Sequence, residues 1–339
     1  MAETNQQILF AARPETWPGP ETFEIAETPM PEPGEGEILV RNIVMSLDPY
    51  MRGRMREGKS YVEGFALGEV LQAGVIGEVI AAQGEAKFAV GNYVSGLLGW
   101  EQYSVSTGQG MTRIDPAAAP LTANLGILGM PGFTAYVGLL DIGQPKPGET
   151  VYVSAAASTV GSAVGQIAKL KGCFVAGSAG SAEKIEACLS RFGYDACFNY
   201  KEADKLHRAV RAACPDGVDV YFENVGGAML DAVLLNINTG ARIPLCGMIS
   251  QYNLAAQEGI NNLTMLLLNR AVLQGFIIID HFDRWPAFVA DMTGWLEAGE
   301  VDYAEHVTDG LANAPAAFVD MLKGIHLGKS VVRIGPDRA

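Results

Sequence analysis

Between Thr150 and Leu170 an apolar run, Thr150-Val151-Tyr152-Val153-Ser154, breaks into a turn of very small residues, Ala155-Ala156-Ala157-Ser158-Thr159-Val160-Gly161, and continues as an amphipathic stretch. A strand that passes through such a turn into a helix leaves the helix N-terminus and several backbone N–H groups open to an anion. This arrangement cradles a dinucleotide pyrophosphate. The pattern Ala156-x-Ser158-x-x-Gly161 is a degenerate G-x-G-x-x-G fingerprint with only the last glycine kept, where a missing Cβ lets helix and strand pack closely. The stretch from Cys173 to Ser178 then reads as the next strand of a βαβ unit, ending in Gly177-Ser178-Ala179-Gly180-Ser181. Selection of an unphosphorylated ribose calls for a carboxylate there; none is present, and Lys184 follows. Missing negative charge beside a cation predicts a place for the 2′-phosphate of NADP(H), with Ser178 and Lys184 next to it. The alternative is a βαβ unit whose small residues serve packing alone, with Lys184 solvated.

A chain of 339 residues is long for a single hydrophobic core, so two domains are expected. With 38 acidic and 24 basic residues the net charge is −14, and the Lys/Arg residues form no cluster able to track a phosphate backbone. Nucleic acid and anionic membrane are therefore excluded as expected partners. The first residues carry no basic and apolar leader, and no later apolar run reaches spanning length without a charge or breaker, so the reading is a cytoplasmic protein. The five cysteines lack C-x-x-C spacing and read as reduced, structural thiols.

Texture divides the chain. Up to about residue 122, short alternating runs such as Glu37 to Val44 and Gly74 to Ala81 lie between Gly/Pro turns, predicting an antiparallel β-domain. From 123 to 305 helix and strand patterns alternate: a helix near Ala123 to Ile142, the fingerprint, and buried strands at Val218 to Phe222, Ala241 to Leu245 and Leu273 to Ile278. The last part, 306–339, ends in Lys329-Ser330-Val331-Val332-Arg333-Ile334, a strand expected to rejoin the first domain.

Five dispersed motifs stand in this frame. They are Met45-Ser46-Leu47-Asp48-Pro49-Tyr50-Met51-Arg52-Gly53-Arg54-Met55, Gly165-Gln166-Ile167-Ala168-Lys169-Leu170-Lys171-Gly172-Cys173, Phe198-Asn199-Tyr200-Lys201, Tyr221-Phe222-Glu223-Asn224-Val225-Gly226-Gly227 and Cys246-Gly247-Met248-Ile249-Ser250-Gln251-Tyr252-Asn253. In this order the chain resembles, over nearly its whole length, the medium-chain dehydrogenase/reductase superfamily. It is most similar to the zinc-independent branch of prostaglandin and leukotriene reductases, plant alkenal double-bond reductases and bacterial curcumin reductase. The resemblance implies an α/β fold, a Rossmann doubly wound parallel sheet plus a chaperonin-10-like β-barrel domain on the substrate side, and a homodimer joined near Leu273 to Ile279.

Carried over by position, the resemblance implies that Ser158, Thr159, Val160 and Gly161 meet the pyrophosphate, and that Lys184 and Tyr200 flank the 2′-phosphate. Asn224, Cys246, Gly247, Met248, Ile249, Ser250 and Tyr252 would line the cofactor cleft, with Phe276, Ile277 and Ile278 beside the nicotinamide. Two departures stand out: Ser158 replaces a usual glycine, and His326, in His326-Leu327-Gly328-Lys329, replaces a usual asparagine near the nicotinamide. Plainer readings remain open. Tyr200 can pack at a strand end, Asn224 can cap a turn, Tyr50 and Tyr252 can be core residues, and His326 can be a satisfied structural histidine.

The first cysteine is Cys173 and the first histidine His207, so the β-domain cannot supply the Cys/His ligands of a zinc alcohol dehydrogenase, and no metal site is expected. Without a metal, hydride chemistry suits a bond already activated by conjugation. The expectation is an NADP-dependent 2-alkenal/enone double-bond reductase: hydride adds to the β-carbon, and Tyr252, Tyr50 or a ribose hydroxyl hydrogen-bonds the developing enolate oxygen. The alternatives are a quinone reductase of the same superfamily and a non-enzymatic, crystallin-like NADPH-binding protein.

Overall fold

The computed structural model describes residues 4–336. Its strands are β1 (Thr4–Phe10), β2 (Phe23–Pro29), β3 (Ile38–Ser46), β4 (Gln72–Ala82), β5 (Tyr93–Gly99), β6 (Tyr103–Ser106), β7 (Thr112–Ile114), β8 (Thr150–Val153), β9 (Phe174–Ala179), β10 (Ala196–Asn199), β11 (Val218–Phe222), β12 (Ile237–Leu245), β13 (Val272–Gly275), β14 (Glu305–Asp309) and β15 (Lys329–Arg333). The helices are α1 (Tyr50–Arg54), α2 (Met130–Val137), α3 (Thr159–Leu170), α4 (Ala182–Ser190), α5 (Leu206–Ala213), α6 (Gly227–Leu234), α7 (Thr264–Asn269), α8 (Trp285–Glu297) and α9 (Ala314–Leu322). Two compact units result, one from Met1–Leu125 with Glu305–Ala339, the other from Gly126–Ala304.

In the first unit β3 is buried along its whole length, and its apolar side chains join a core with Trp100, Phe10 and Phe318. Trp100 stacks on Phe23 at 6.2 Å and meets Phe318 edge-on at 5.9 Å, which ties α9 to the sheet. The expected barrel does not close. The sheet is an open path β14-β15-β3-β4-β5-β7, with β6 added on β3, and no ladder among the described residues joins β14 to β7. The reason lies in β3. Its first half pairs with β6 and its last residues with β15, so one long strand with two register shifts serves successive partners along the same edge.

The second unit holds a parallel sheet in the order β10-β9-β8-β11-β12-β13, the doubly wound arrangement expected. Strand order reverses between β8 and β11, which opens a crevice at their C-terminal ends. Strand β11 falls where its apolar run predicts. Two expectations shift. The helix expected near Ala123 to Ile142 is divided into a single turn at Leu121–Leu125, α2, and a wider helical turn at Gly138–Gly143. Gly126 and Gly129 interrupt the pattern, and Pro131 fits only the first turn of a new helix. The strand expected from Leu273 to Ile278 stops at Gly275, where pairing with Leu245 ends, and Ile278 begins a helical turn.

Candidate cofactor and active site

At the C-terminal end of β8 the chain turns through Ala155, whose φ of 51° is left-handed, a conformation costly for a residue with a Cβ. The Ala156 N–H donates to the Ser178 carbonyl at 3.0 Å, pinning the turn to β9. Ser158 is the N-cap of α3, and its Oγ accepts from the Gly161 N–H at 3.0 Å. The serine standing where the resemblance implies glycine has a local role: it satisfies one orphan donor of the helix. A Cβ on Gly161 would press on the Ala155 carbonyl and lie 2.8 Å from that of Ala156, so only glycine fits. Thr159 and Val160, both half-buried, form the first turn of α3, where N–H groups and the helix dipole suit a phosphate.

Tyr194, not singled out from sequence, supports this turn from below. Its buried hydroxyl donates to the Gly161 carbonyl at 2.7 Å. Its ring occupies space opened by two more glycines, since a Cβ on Gly165 would press into it and one on Gly177 would lie 2.7 Å from it. Glycines inside a helix and a strand, each costing about 0.5–1 kcal/mol relative to alanine, were the one sequence sign of a large ring held close.

Ser178 is buried, and its carbonyl meets the turn. Beyond it, Ser181 caps α4, and Lys184 is 9% exposed rather than solvated. Burial lowers its pKa, and the neighbouring Lys201 lowers it further. Lys201 was quoted in a motif but not marked as a site residue; its Nζ lies 5.9 Å from the Tyr200 ring centre. The Tyr200 hydroxyl and Lys201 Cε both stand 3.1 Å from where a Gly180 Cβ would be. Lys184, Tyr200, Lys201 and Gly180 thus gather at the end of β9 and β10. An ammonium group at Lys201 close enough to disfavour the charge on Lys184 makes a cationic corner that suits a dianionic ligand.

Across the crevice, Asn224 follows β11. Its amide donates to the Ser154 carbonyl at 2.8 Å, its N–H donates to Ser154 Oγ at 2.9 Å, and its carbonyl accepts from Ile249 N–H at 3.1 Å. Asn224 therefore joins the ends of β8 and β11 to the loop after β12, which exceeds turn capping. That loop lines a cavity of about 460 Å³ whose wall includes Cys246, Gly247, Met248, Tyr252, Phe276 and Asp280. Ser250 lies outside the lining and is exposed, its hydroxyl donating to the Val225 carbonyl at 2.6 Å. Ile249 starts a short helical turn, and Ile278 follows the lining strand end. The Tyr252 hydroxyl accepts from the Met248 N–H at 3.2 Å. Burial raises its pKa, the Met248 N–H opposes that, and Cys246 and Glu223 raise it again, so the phenol stays protonated at neutral pH.

In the first unit Tyr50 opens α1, partly buried against the core. Burial, then Asp48, pushes its pKa up, while Arg54 pulls it down. The segment before it is held by Lys329, whose Nζ donates to the Leu47 carbonyl at 2.8 Å and Asp48 Oδ1 at 2.6 Å. His326 stacks on His306 with ring centres 3.6 Å apart, and its Nδ1 is 3.1 Å from Ser330 Oγ. The structure gives His326 these structural partners within its own unit. Among the described residues no group of three or more His, Cys, Asp or Glu side chains converges as a metal site, and no helix is long and apolar enough to cross a membrane.

Comparison with known proteins agrees with this architecture. Residues 6–114 match the family described as N-terminal domain of oxidoreductase, and residues 159–294 the family described as zinc-binding dehydrogenase. The 2-alkenal reductase (NADP(+)-dependent) of Nicotiana tabacum is 45% identical over 98% of this chain and 99% of its own. The NADPH-dependent curcumin reductase of Escherichia coli is 43% identical over 99% of this chain and 98% of its own. The crystal structure of CurA in complex with NADPH from Vibrio vulnificus superposes with a TM-score of 0.93 at 45% identity, covering 98% of this chain and all of that one. No cysteine precedes Cys173 and no histidine precedes His207. Sequence motifs, doubly wound sheet and full-length similarity together show that the chain belongs to the medium-chain dehydrogenase/reductase family, in the branch of the curcumin, 2-alkenal and prostaglandin reductases.

Proposed function

We propose that this protein reduces the C=C bond of α,β-unsaturated aldehydes and ketones with NADPH and without zinc. The observation that carries the reading is the cavity at the ends of β12 and β13, apolar except for a few polar groups and walled by a phenol held neutral. It is supported by relatives named as 2-alkenal, curcumin and (+)-pulegone reductases. The fingerprint turn suits the cofactor, since Gly161 lets α3 pack closely on the β8 turn and the α3 N-terminus opens there. When bound, NADPH would supply a hydride with its electron pair for the enone β-carbon, and solvent water would supply the proton for the α-carbon. The Tyr252 hydroxyl donates to the carbonyl oxygen as negative charge builds there, and Tyr50 is the second candidate donor. Ser158, Thr159, Val160 and Gly161 hold the pyrophosphate. Lys184, Tyr200 and Ser178 stand at the 2′-phosphate end, with Asn224, the 246–252 loop and Phe276, Ile277 and Ile278 along the cleft. The place of His326 beside the nicotinamide rests on resemblance alone.

The five free thiols suit a reducing compartment, the cytoplasm. A homodimer is supported by the outer edge of β13, which no described strand pairs, and by Leu267 and Val272, 78% and 54% exposed beside it. The deciding experiment follows NADPH oxidation with a panel of enones, enals and quinones, before and after chelator treatment, on protein whose mass in solution is measured. Turnover of enones well above quinones, unaffected by chelation, is expected; preference for quinones identifies the rival reductase, and tight NADPH binding without turnover identifies a binding protein.

Lys184→Ala is expected to weaken NADPH binding about 10- to 100-fold, the scale of one charge-assisted phosphate contact, with NADH binding barely changed. Lys201→Ala should act in the same direction and less strongly, because its side chain also lies on the Tyr200 ring. Equal losses for the two cofactors, measured by titration, would show that neither lysine reads the phosphate.

A further inference from the structure

Glu223 is fully buried at the end of β11, its carboxyl surrounded by two hydroxyls and a backbone N–H. Its Oε1 accepts from Ser154 Oγ at 2.8 Å and from the Val225 N–H at 2.5 Å, and its Oε2 accepts from the Tyr221 hydroxyl at 2.6 Å. Among the described residues no lysine, arginine or histidine forms an ion pair with it. The N–H can only donate and both hydroxyls can, so these contacts favour the ionised carboxylate and oppose the rise in pKa that burial causes. A buried anion without a cation is costly, and a chain that needed only a hydrogen-bonded strand end has neutral acceptors available. The charge also stands next to the cavity. The backbone carbonyl of Glu223 accepts from the N–H groups of Cys246 and Gly247, at 2.9 and 3.1 Å, and both residues line that cavity.

We infer that Glu223 is an electrostatic residue for hydride donation: its carboxylate, fixed behind the cavity wall, favours a cationic nicotinamide over a neutral one. This rests on the proposed reading that the nicotinamide occupies the cavity. The chemistry concerned is a change of one unit of charge, since the reduced ring is neutral and the oxidised ring positive. A fixed negative charge in a dry setting stabilises the positive form, and it does so increasingly as hydride leaves. Two groups lining the cavity lie within reach of the charge. Burial first, and Glu223 after it, raises the Cys246 thiol to about 12, and the Tyr252 phenol also feels Glu223.

The test compares dissociation constants for NADP+ and NADPH, measured by calorimetry, with no turnover involved. In Glu223→Gln, the remaining oxygen keeps the Ser154 and Val225 donors while the new amide donates to the Tyr221 hydroxyl oxygen, so the network is satisfied without charge. The expected result is NADP+ weakened about three- to tenfold more than NADPH. A second uncharged site, Glu223→Met with Tyr221→Phe, removes a donor and its acceptor together and should shift the ratio the same way if the glutamine variant is insoluble. Ser154→Ala, which keeps the carboxylate, should change both constants by the same factor. Equal weakening of both forms in the uncharged variants, or no change, overturns the inference and leaves Glu223 a structural residue. Failure of the wild-type protein to bind either form would instead overturn the reading of the cavity.

Discussion

Tyr252→Phe is expected to lower kcat on a good enone about 10²- to 10³-fold, the usual cost of removing one donor from an oxyanion site, with little change in NADPH affinity or melting temperature. The substitution keeps the ring against the cavity and deletes only the hydroxyl. That hydroxyl accepts from the Met248 N–H at 3.2 Å, which polarises it and leaves its own hydrogen for donation. Because burial holds the phenol protonated, donation to substrate costs no charge separation beforehand. Loss of the Met248 contact is a lesser effect, about 1 kcal/mol of stability at most, since the N–H lies on a loop that is only partly buried. A packing role would therefore show in melting temperature and not in kcat. Tyr50→Phe is measured in parallel. If both single variants and the double variant keep near wild-type kcat, neither phenol is the donor, and a ribose hydroxyl or water takes that place.

What the sequence could show followed the range of the interactions involved. The β8 turn and α3 were legible because the determinants are adjacent: Ser158 caps the helix that Gly161 enters. Strand β11 was legible because an apolar run stands between Gly217 and the polar Glu223. The end of β13 was not, because Phe276, Ile277 and Ile278 continue an apolar pattern after pairing with β12 stops at Gly275. The open sheet of the first unit depends on β3 changing partners between β6 and β15, which lie more than 200 residues apart. Among the proposed site residues, Lys184 was suggested by the missing carboxylate nearby, whereas the places of Tyr194 and Glu223 are set by segments that meet only in the fold. A glutamate at a strand end reads as solvated until Ser154 and Tyr221 are seen to close over it.

Lys329→Met should destabilise the first unit by about 3 kcal/mol, the lower end of what removing one partner of a buried ion pair costs. Lys329 is 3% exposed and the Asp48 side chain 19%, so the carboxylate left behind is desolvated but not sealed off, which argues for that lower end. The loss follows from position. Lys329 sits at the start of β15, whose register with β14 and β3 places its ammonium over the segment leading to Tyr50, where it meets both Asp48 and the Leu47 carbonyl. Ser46 Oγ also donates to the other Asp48 oxygen, so removal of the lysine leaves a carboxylate with a single neutral side-chain partner. For a unit of this size the change corresponds to a fall of about 6–12 °C in its melting temperature. Adding Asp48→Asn to Lys329→Met removes the stranded charge and should recover much of the loss, as expected where the penalty is an uncompensated anion rather than lost packing. If the double variant melts no higher than Lys329→Met, the lysine acts through its aliphatic stem, and Asp48 is held adequately by Ser46 alone.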